Sequence, residues 1–552
     1  LKLTKLYLSE NQQWFPKLQA SQLLLPFYDS HAQGRKELAL GAKKGESYLV
    51  KNAGQRFFIQ VEVASGICTV KNLLATDLFS QQKIVVWLEQ AARALFAKEI
   101  RLDFSKSQGT FWSENLLAAG FQQNGQVFTK KITVKWGLAF GGGGSHGAYQ
   151  IGVWQALREL ELPIAVVSGT SVGALNGALF AQGDFEAAKE LWQDLATAGV
   201  LQFPAAAEKT ETLQALIAQI ASLTSHALVH QGVSTAPLQK ILKGLVSHEK
   251  MAAKQVDFSF VTTRLRGLKE TVITYQETTQ EEWLQWLLAS ASFFPAMAAQ
   301  KIKGEAYIDG GYRNNLPVDL LYEKEVTDCL AVDVKGPGIT KIVTKPAAVN
   351  QLALHSPWSL GSFLLFSPER SQDNLQLGYL ETLKTFGRLQ GYWYSFTLTS
   401  NFEEDWRKFY EKWQNWLGKE NILPIDEMLK KLRKFYRKAV VWENCGLVFY
   451  ELIGKLLAID PTVVYNESEF KAALSRREAG AVHSELSLSE WLQKYYRENS
   501  PLAEEKQIFW AYQQLQEQGT AWCNELLTVY KLFPVQMMLA GFLLEINQTE
   551  EG

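Results

Sequence analysis

Twice between residues 135 and 181 the chain runs from an apolar strand through a glycine-rich turn directly into a helix, and this repetition constrains the fold more than any other feature. Residues 135–140 read as the first strand, Gly141 to Gly147 (GGGGSHG) as its turn, and 148–160 as a helix with Ile151, Val153, Trp154, Leu157 and Leu160 on one side. A β-branched strand at 164–167 then meets a second turn, Ser168-Gly-Thr-Ser-Val-Gly173, which opens a helix at 174–181. Further strands are expected at 256–262, 270–275 and 330–334. Strands alternating with helices in this way predict an α/β domain with a largely parallel sheet.

A chain of 552 residues exceeds one core, since cores stop growing at roughly 250–300 residues. The expected division is an N-terminal α+β domain at 1–132, a catalytic α/β domain at 133–340 and a mainly α-helical region at 341–552. A net charge of -1 supplies no overall field for nucleic acid, so no nucleic-acid partner is expected and membrane contact would need a local patch. Cys68, Cys329, Cys445 and Cys523 are widely spaced with no CxxC pair, which argues against a zinc site or disulfide framework and for a reducing, cytoplasmic setting. The apolar stretch 532–546 contains Pro534, Gln536 and Glu545 and is shorter than the roughly 20 apolar residues of a membrane span. No basic-then-apolar leader is visible from Leu1 onward.

In the first region, 57–63 alternates as a strand, 84–97 repeats as a helix and 99–104 reads as a strand. The succession of KNLLATDLF, helix, EIRLDFS, FWSENLLAAGF and VFTKKI resembles, over about 55–132, the second half of a GNAT-type acetyltransferase. That family wraps a pyrophosphate with a glycine-rich turn before the helix. Residues 79–86 (FSQQKIVV) contain no glycine, so the expectation is a non-catalytic relative used for packing or recognition.

Three motifs carry the chemistry. Gly169-Thr-Ser-Val-Gly173 has the form of a nucleophile elbow, in which Ser171 sits on a strained strand-to-helix turn and glycines remove Cβ atoms that would clash. The amino terminus of the following helix offers unpaired amides to developing negative charge. In Gly141–Gly147, successive glycines let backbone N–H groups converge, as an oxyanion hole or a phosphate cradle requires. Gly142, Gly144 and Gly147 satisfy G-x-G-x-x-G, but the dinucleotide reading needs an acidic residue ending the next strand, where Val167-Ser-Gly-Thr-Ser171 has none. A Walker loop is excluded because no Gly-Lys-Ser/Thr follows. The third motif is Asp309-Gly-Gly311 at the end of a short strand, with Ala289-Ser-Ala-Ser-Phe-Phe-Pro295 expected as a small-residue helix end packed beneath the same site.

Together these motifs resemble the patatin-like phospholipase family, with its loop G-G-G-x-Lys/Arg-G at Gly142–Gly147, its elbow at Gly169–Gly173 and its D-G-G/A motif at Asp309–Gly311, in that order. The resemblance runs over about 133–396, more loosely through Pro357–Gly361 and Leu377–Leu383, and departs at His146, where the family carries lysine or arginine. It implies a patatin-like three-layer α/β catalytic domain and a Ser171–Asp309 dyad acting on lipid or other acyl esters without metal or organic cofactor. The amides of Gly142, Gly143 and Gly144 would be its oxyanion donors, and Gly310 and Gly311 would shape the turn beside the base. A desolvated carboxylate can take the serine proton, and each oxyanion donor contributes roughly 3–4 kcal/mol.

Two other readings compete. A Ser-His-Asp hydrolase would need a histidine after the acid, and His355 and His483 are available. A scaffold protein with a weakened patatin-like domain would account for His146. Peripheral membrane contact could come from 426–440 (DEMLKKLRKFYRKAV), a basic amphipathic helix, although a solvated face over a packed one is the simpler expectation. Trp406, Tyr410, Trp413 and Leu417 follow helical spacing and read first as core. Oligomeric state, head group and acyl-chain length leave no signature in the sequence.

Overall fold

The computed structural model describes residues 2–6, 27–28, 31–52, 55–75, 81–106, 113–196, 236–294, 296–418, 421–478, 490, 505–518 and 524–550. The chain falls into two compact units that meet in sequence at Phe386 and Gly387.

The first unit builds two sheets in succession. The first comprises β1 (Lys2–Lys5), α1 (His31–Lys43), β2 (Ser47–Asn52), β3 (Gln55–Ala64), β4 (Ile67–Ala75), α2 (Gln81–Ala94), β5 (Glu99–Asp103), α3 (Ser113–Ala118), β6 (Gln122–Asn124) and β7 (Val127–Lys131). Its strand order is β1-β2-β3-β4-β5-β7-β6, antiparallel throughout except between β4 and β5. Parallel neighbours need a crossover, and α2 supplies it. Ile84, Val85, Leu88, Ala91 and Ala92 recur at helical spacing and are buried in one cluster with Phe57, Ile59 and Val70 of the sheet. Of the glycine-free segment 79–86, residues 79 and 80 lie outside the described residues and the rest opens α2.

The second sheet is formed from β8 (Trp136–Phe140), α4 (Gly147–Glu159), β9 (Ile164–Thr170), α5 (Val172–Gln182), α6 (Phe185–Asp194), α7 (Ala236–Leu245), α8 (His248–Lys254), β10 (Asp257–Arg264), β11 (Lys269–Thr274), α9 (Gln280–Ser290), β12 (Gln300–Ile302), β13 (Glu305–Asp309), α10 (Asp319–Glu323), β14 (Asp328–Val332), β15 (Asn350–Leu354) and α11 (Pro368–Thr385). β10, β9, β8, β14 and β15 run parallel, while β11, β13 and β12 join antiparallel. Every residue of β8 and β14 is buried, as befits strands covered on both faces.

The boundary expected at residue 340 is corrected to Phe386. β15 extends the sheet beyond β14, and α11 crosses α4 with backbones in contact: a Cβ on Gly152 would lie 1.8 Å from Leu375 O, and one on Gly378 would lie 2.0 Å from Tyr149 O. Inside this crossing Glu381 accepts from Tyr149 Oη at 2.6 Å and Ser356 Oγ at 2.8 Å, and burial raises the pKa of its carboxyl. The two sheets are joined through α2, where Gln90 Nε2 donates to Ala347 O and Arg93 Nη2 to Ala348 O, both at 2.9 Å, and Arg93 pairs with the buried Asp328.

The second unit is mainly helical. A short pairing of β16 (Ser395–Phe396) with β17 (Val464–Tyr465) accompanies α12 (Glu403–Leu417), α13 (Ile425–Tyr436), α14 (Cys445–Leu456), α15 (Glu467–Glu478), α16 (Glu505–Gln518), α17 (Asn524–Leu532) and α18 (Pro534–Glu550). Trp406, Tyr410, Trp413 and Leu417 are all buried, with Trp406 packed on Phe449 at 4.8 Å, so this stripe is core. On α13 the apolar Met428, Leu429, Leu432 and Tyr436 are buried as well, and the outer face is mostly charged apart from the exposed Ile425 at its start. Among the described residues no helix is long and apolar enough to cross a membrane.

Candidate active site

β9 delivers Ser171 to the carboxyl edge of the second sheet. Its backbone is at φ 56° and ψ −128°, a region that non-glycine residues occupy only when the surroundings enforce it. Two close approaches enforce it here: a Cβ on Gly169 would lie 2.3 Å from Gly173 O, and one on Gly173 would lie 2.2 Å from Phe140 O. The serine amide donates to Ser290 Oγ at 3.0 Å, and Ser290 in turn donates to Val261 O at 2.6 Å. The end of α9 thus braces the elbow from beneath.

Asp309 ends β13, whose pairing with β10 brings it beside β9. Its backbone N–H donates to Ser292 O at 2.9 Å. Ser171 Oγ donates to Asp309 Oδ2 at 2.5 Å, with no imidazole between them, while the Gly311 N–H donates to Oδ1 at 2.7 Å. Burial pushes the Asp309 carboxyl up from 3.8 to about 6, against the opposing effect of these two hydrogen bonds. Of the histidines considered for a triad, His355 follows directly after β15 and His483 lies outside the described residues.

The glycine loop lies against the elbow, and a Cβ on Gly142 would come within 3.2 Å of the Ser171 Cβ and 2.5 Å of Asn315 Oδ1. The expectation for its amides needs one correction. Gly142 N–H donates to Asn315 O at 2.9 Å and is therefore occupied, whereas among the described residues the amides of Gly143 and Gly144 have no acceptor. Gly144 takes φ 55°, and a Cβ there would lie 2.1 Å from Phe363 O, so the loop requires glycine at this point. Beside Gly143 and Gly144, Val172 begins α5 and presents a first-turn amide.

His146 is buried, with Nδ1 2.9 Å from Val334 O and Nε2 3.1 Å from Gly361 O. A neutral imidazole has one N–H, so only the imidazolium donates to both carbonyls. Gly147, the last glycine of the loop, packs beneath Trp192 and Val172, each 2.5 Å from where its Cβ would be. Gly310 lies against Val261 O in the same manner, at 2.2 Å.

From Ser171 and Asp309 an open, mostly apolar chamber extends between α5, α6 and α7. Leu175, Leu179, Trp192, Leu242, Met297 and Phe363 are among its walls. A buried chain of side-chain bonds ties one wall to the loop: Trp192 Nε1 donates to Asn176 Oδ1 at 3.0 Å, Asn176 Nδ2 to Gln150 Oε1 at 2.8 Å, and Gln150 Nε2 to Gly141 O at 2.6 Å. These residues, with Ser290 and Asn315, escaped the sequence reading as individuals. Only the small-residue run 289–295 hinted at one of them, Ser290.

An elbow serine hydrogen-bonded to a buried carboxylate, beside free loop amides on an α/β sheet, defines a hydrolase-like nucleophile site. Residues 138–322 match the family model for patatin-like phospholipase, and this segment of the chain is a patatin-like phospholipase domain. Patatin-like phospholipase domain-containing protein 7 of Rattus norvegicus is 25% identical over 201 residues, 36% of this chain and 13% of that protein. Neuropathy target esterase sws of Drosophila melanogaster is 25% identical over 198 residues, again 36% and 13%. Lysophospholipase nte1 of Aspergillus terreus is 54% identical over 46 residues, 8% of this chain and 3% of that protein. The chain therefore matches about an eighth of the length of the first two relatives. Among solved structures, VipD from Legionella pneumophila is 12% identical with a TM-score of 0.29 (76% of this chain, 94% of that one), and the type III effector ExoU is 15% identical with a TM-score of 0.22 (76% and 79%).

Proposed function

We propose that the chain is a serine acyl-ester hydrolase acting on lipid, with Ser171 as nucleophile and Asp309 as its base. The observation that carries this reading is the 2.5 Å bond from Ser171 Oγ to Asp309 Oδ2 at the inner end of an apolar chamber. In the forward step the serine proton passes to Asp309 Oδ2 as Oγ attacks the ester carbonyl carbon. The carbonyl oxygen becomes an oxyanion within reach of the Gly143 and Gly144 amides and the first turn of α5, where each donor lowers the barrier by roughly 3 kcal/mol. Collapse expels the alcohol, which takes the proton back from Asp309. A water then repeats the sequence on the acyl-enzyme, giving up its proton to Asp309 and releasing the fatty acid and free Ser171. Desolvation is what gives the carboxyl enough proton affinity to act as a base in both halves. The names of the matched relatives, phospholipase, esterase and lysophospholipase, support a lipid acyl ester as substrate class.

The test is fluorophosphonate labelling together with a panel of lipid esters. Ser171→Ala should lose both labelling and hydrolysis while remaining folded. Asp309→Asn should lose hydrolysis, and the double variant should be little worse than either single one, because members of one catalytic unit are non-additive. Near-parent turnover in Asp309→Asn, with loss in His355→Ala or His483→Ala, would replace the dyad with a triad.

The first sheet, by this reading, serves packing or recognition. Its helix α2 is bonded to Asp328 of β14 and to Ala347 and Ala348 in the loop before β15.

A further inference from the structure

We propose that the hairpin between β10 and β11 and the loop after β14 together form a docking surface for an anionic lipid bilayer at the rim of the chamber. Four large aliphatic side chains stand out of this region into solvent: Leu268 (41% exposed), Val272 (42%), Ile339 (56%) and Ile342, which is fully exposed. They are not loosely held. Ile339 is bonded by its backbone on both sides to the turn that follows Asp309, its N–H donating to Gly311 O and its carbonyl accepting from the Asn315 N–H, each at 2.8 Å. Arg313 Nε donates to the Leu268 carbonyl, and Lys341 spans Asp319 at 2.7 Å and Glu270 at 3.1 Å, fixing the backbone beside Ile342. Leu268 itself sits at φ 45°, where asparagine or glycine would be relaxed, so a leucine is displayed there at a conformational cost.

The loop borders the site directly, since Pro337 is exposed and also lines the chamber that contains Ser171. Arg266 and Lys269 flank Leu268 in sequence, Arg313 bonds the Leu268 carbonyl and Lys335 lies in the loop after β14; all four are exposed, and among the described residues Arg266, Lys269 and Arg313 have no carboxylate partner. A chain of net charge -1 thus concentrates unpaired cations around protruding aliphatic groups at the entrance to an acyl-ester site. Aliphatic tips that enter the headgroup layer beside cations that meet lipid phosphates are the elements of interfacial binding. This surface is distinct from α13, whose apolar side is buried. The proposal rests on the lipid reading of the chamber for its purpose, but binding is measurable without turnover.

The experiment uses the full chain carrying Ser171→Ala, sedimented with phosphatidylcholine vesicles with and without phosphatidylserine. Binding is expected to the phosphatidylserine vesicles, to weaken with added salt, and to fall by roughly tenfold or more in Ile339→Ser/Ile342→Ser. Arg266→Glu/Lys269→Glu should fall similarly and serves as the second variant should the first fold poorly. On the Ser171 background both pairs should leave hydrolysis of a short soluble ester unchanged. Equal binding by parent and variants, or no preference for phosphatidylserine, would overturn the proposal. So would a change of oligomeric state with vesicle binding intact, which would assign the surface to a second copy of the chain. Vesicle binding as expected, with no ester hydrolysis by the parent that retains Ser171, would sink the hydrolase reading alone.

Discussion

Asp309→Asn should make the protein more stable at neutral pH even as it removes the base. Burial raises the Asp309 carboxyl from 3.8 to about 6, so the folded state holds its proton more tightly than the unfolded chain by about 3 kcal/mol. The sign follows from which state binds the proton. Below 3.8 both states are protonated and the group costs nothing; as pH rises towards 6 the unfolded chain ionises first, and above 6 the full cost falls on the parent fold. An asparagine does not titrate and escapes this cost. It cannot, however, accept from both Ser171 and Gly311 with its single oxygen, which forfeits one hydrogen bond worth about 1 kcal/mol. The expected balance is a gain of about 2 kcal/mol near pH 7.5 that reverses to a loss of about 1 kcal/mol near pH 3. Paired unfolding midpoints of parent and variant across this range measure it, because contributions from every other group cancel in the difference. A pH-independent difference, or a gain confined to the acid side, would refute the assignment of a desolvated carboxylate. The kinetic counterpart is an acid limb in kcat/KM for the parent, falling about tenfold per pH unit below about 6.

His146→Ala should lower kcat/KM on a soluble ester, because the ring nitrogens that lie 2.9 Å from Val334 O and 3.1 Å from Gly361 O tie down the loop that carries Gly143 and Gly144. Parent-level kcat/KM in His146→Ala would remove His146 from any role in holding the loop. Gly378→Ala should lower stability by about 3 kcal/mol, since its Cβ would stand 2.0 Å from Tyr149 O and the helix crossing must open; an unchanged unfolding midpoint would show that the crossing is soft. Calorimetric titration with acetyl-CoA should show no saturable binding, since the segment before α2 has no glycine to admit a pyrophosphate.

The site was legible in the sequence where the backbone itself is under constraint. Gly169, Gly173 and Gly310 mark places where another main chain passes within a Cβ radius, and a requirement of that kind can be met by only one residue type. Asp309 could be read because Gly310 and Gly311 accompany it. Hydrogen-bond allocation was not legible: nothing local to Gly142 says that its amide is taken by Asn315, a residue brought there by a different strand. The same holds for Ser290 under the elbow and for the chain from Trp192 to Gly141, whose polar groups are ordinary in sequence and meaningful only in register. The boundary at 340 failed because β15 is short and α11 is largely polar, so neither advertises the neighbour it covers. The stripe of Trp406 and Trp413 was read correctly as core because periodicity and bulk leave few other uses for such a face.

The pairing of Trp136 with Asp328 has a consequence for how the protein is made. A ribosome adding about 5–20 residues per second needs roughly 10–40 s to synthesise the stretch between these partners. Throughout that interval the nascent chain can build β8 and β9 but cannot cover the other edge of β8, a buried apolar strand in the finished molecule. Loop closure over so long a separation is also entropically slow after release. The elbow serine therefore emerges early, its carboxylate late, and the central strand spends the wait as an open edge of the sort that chaperones capture and aggregates recruit.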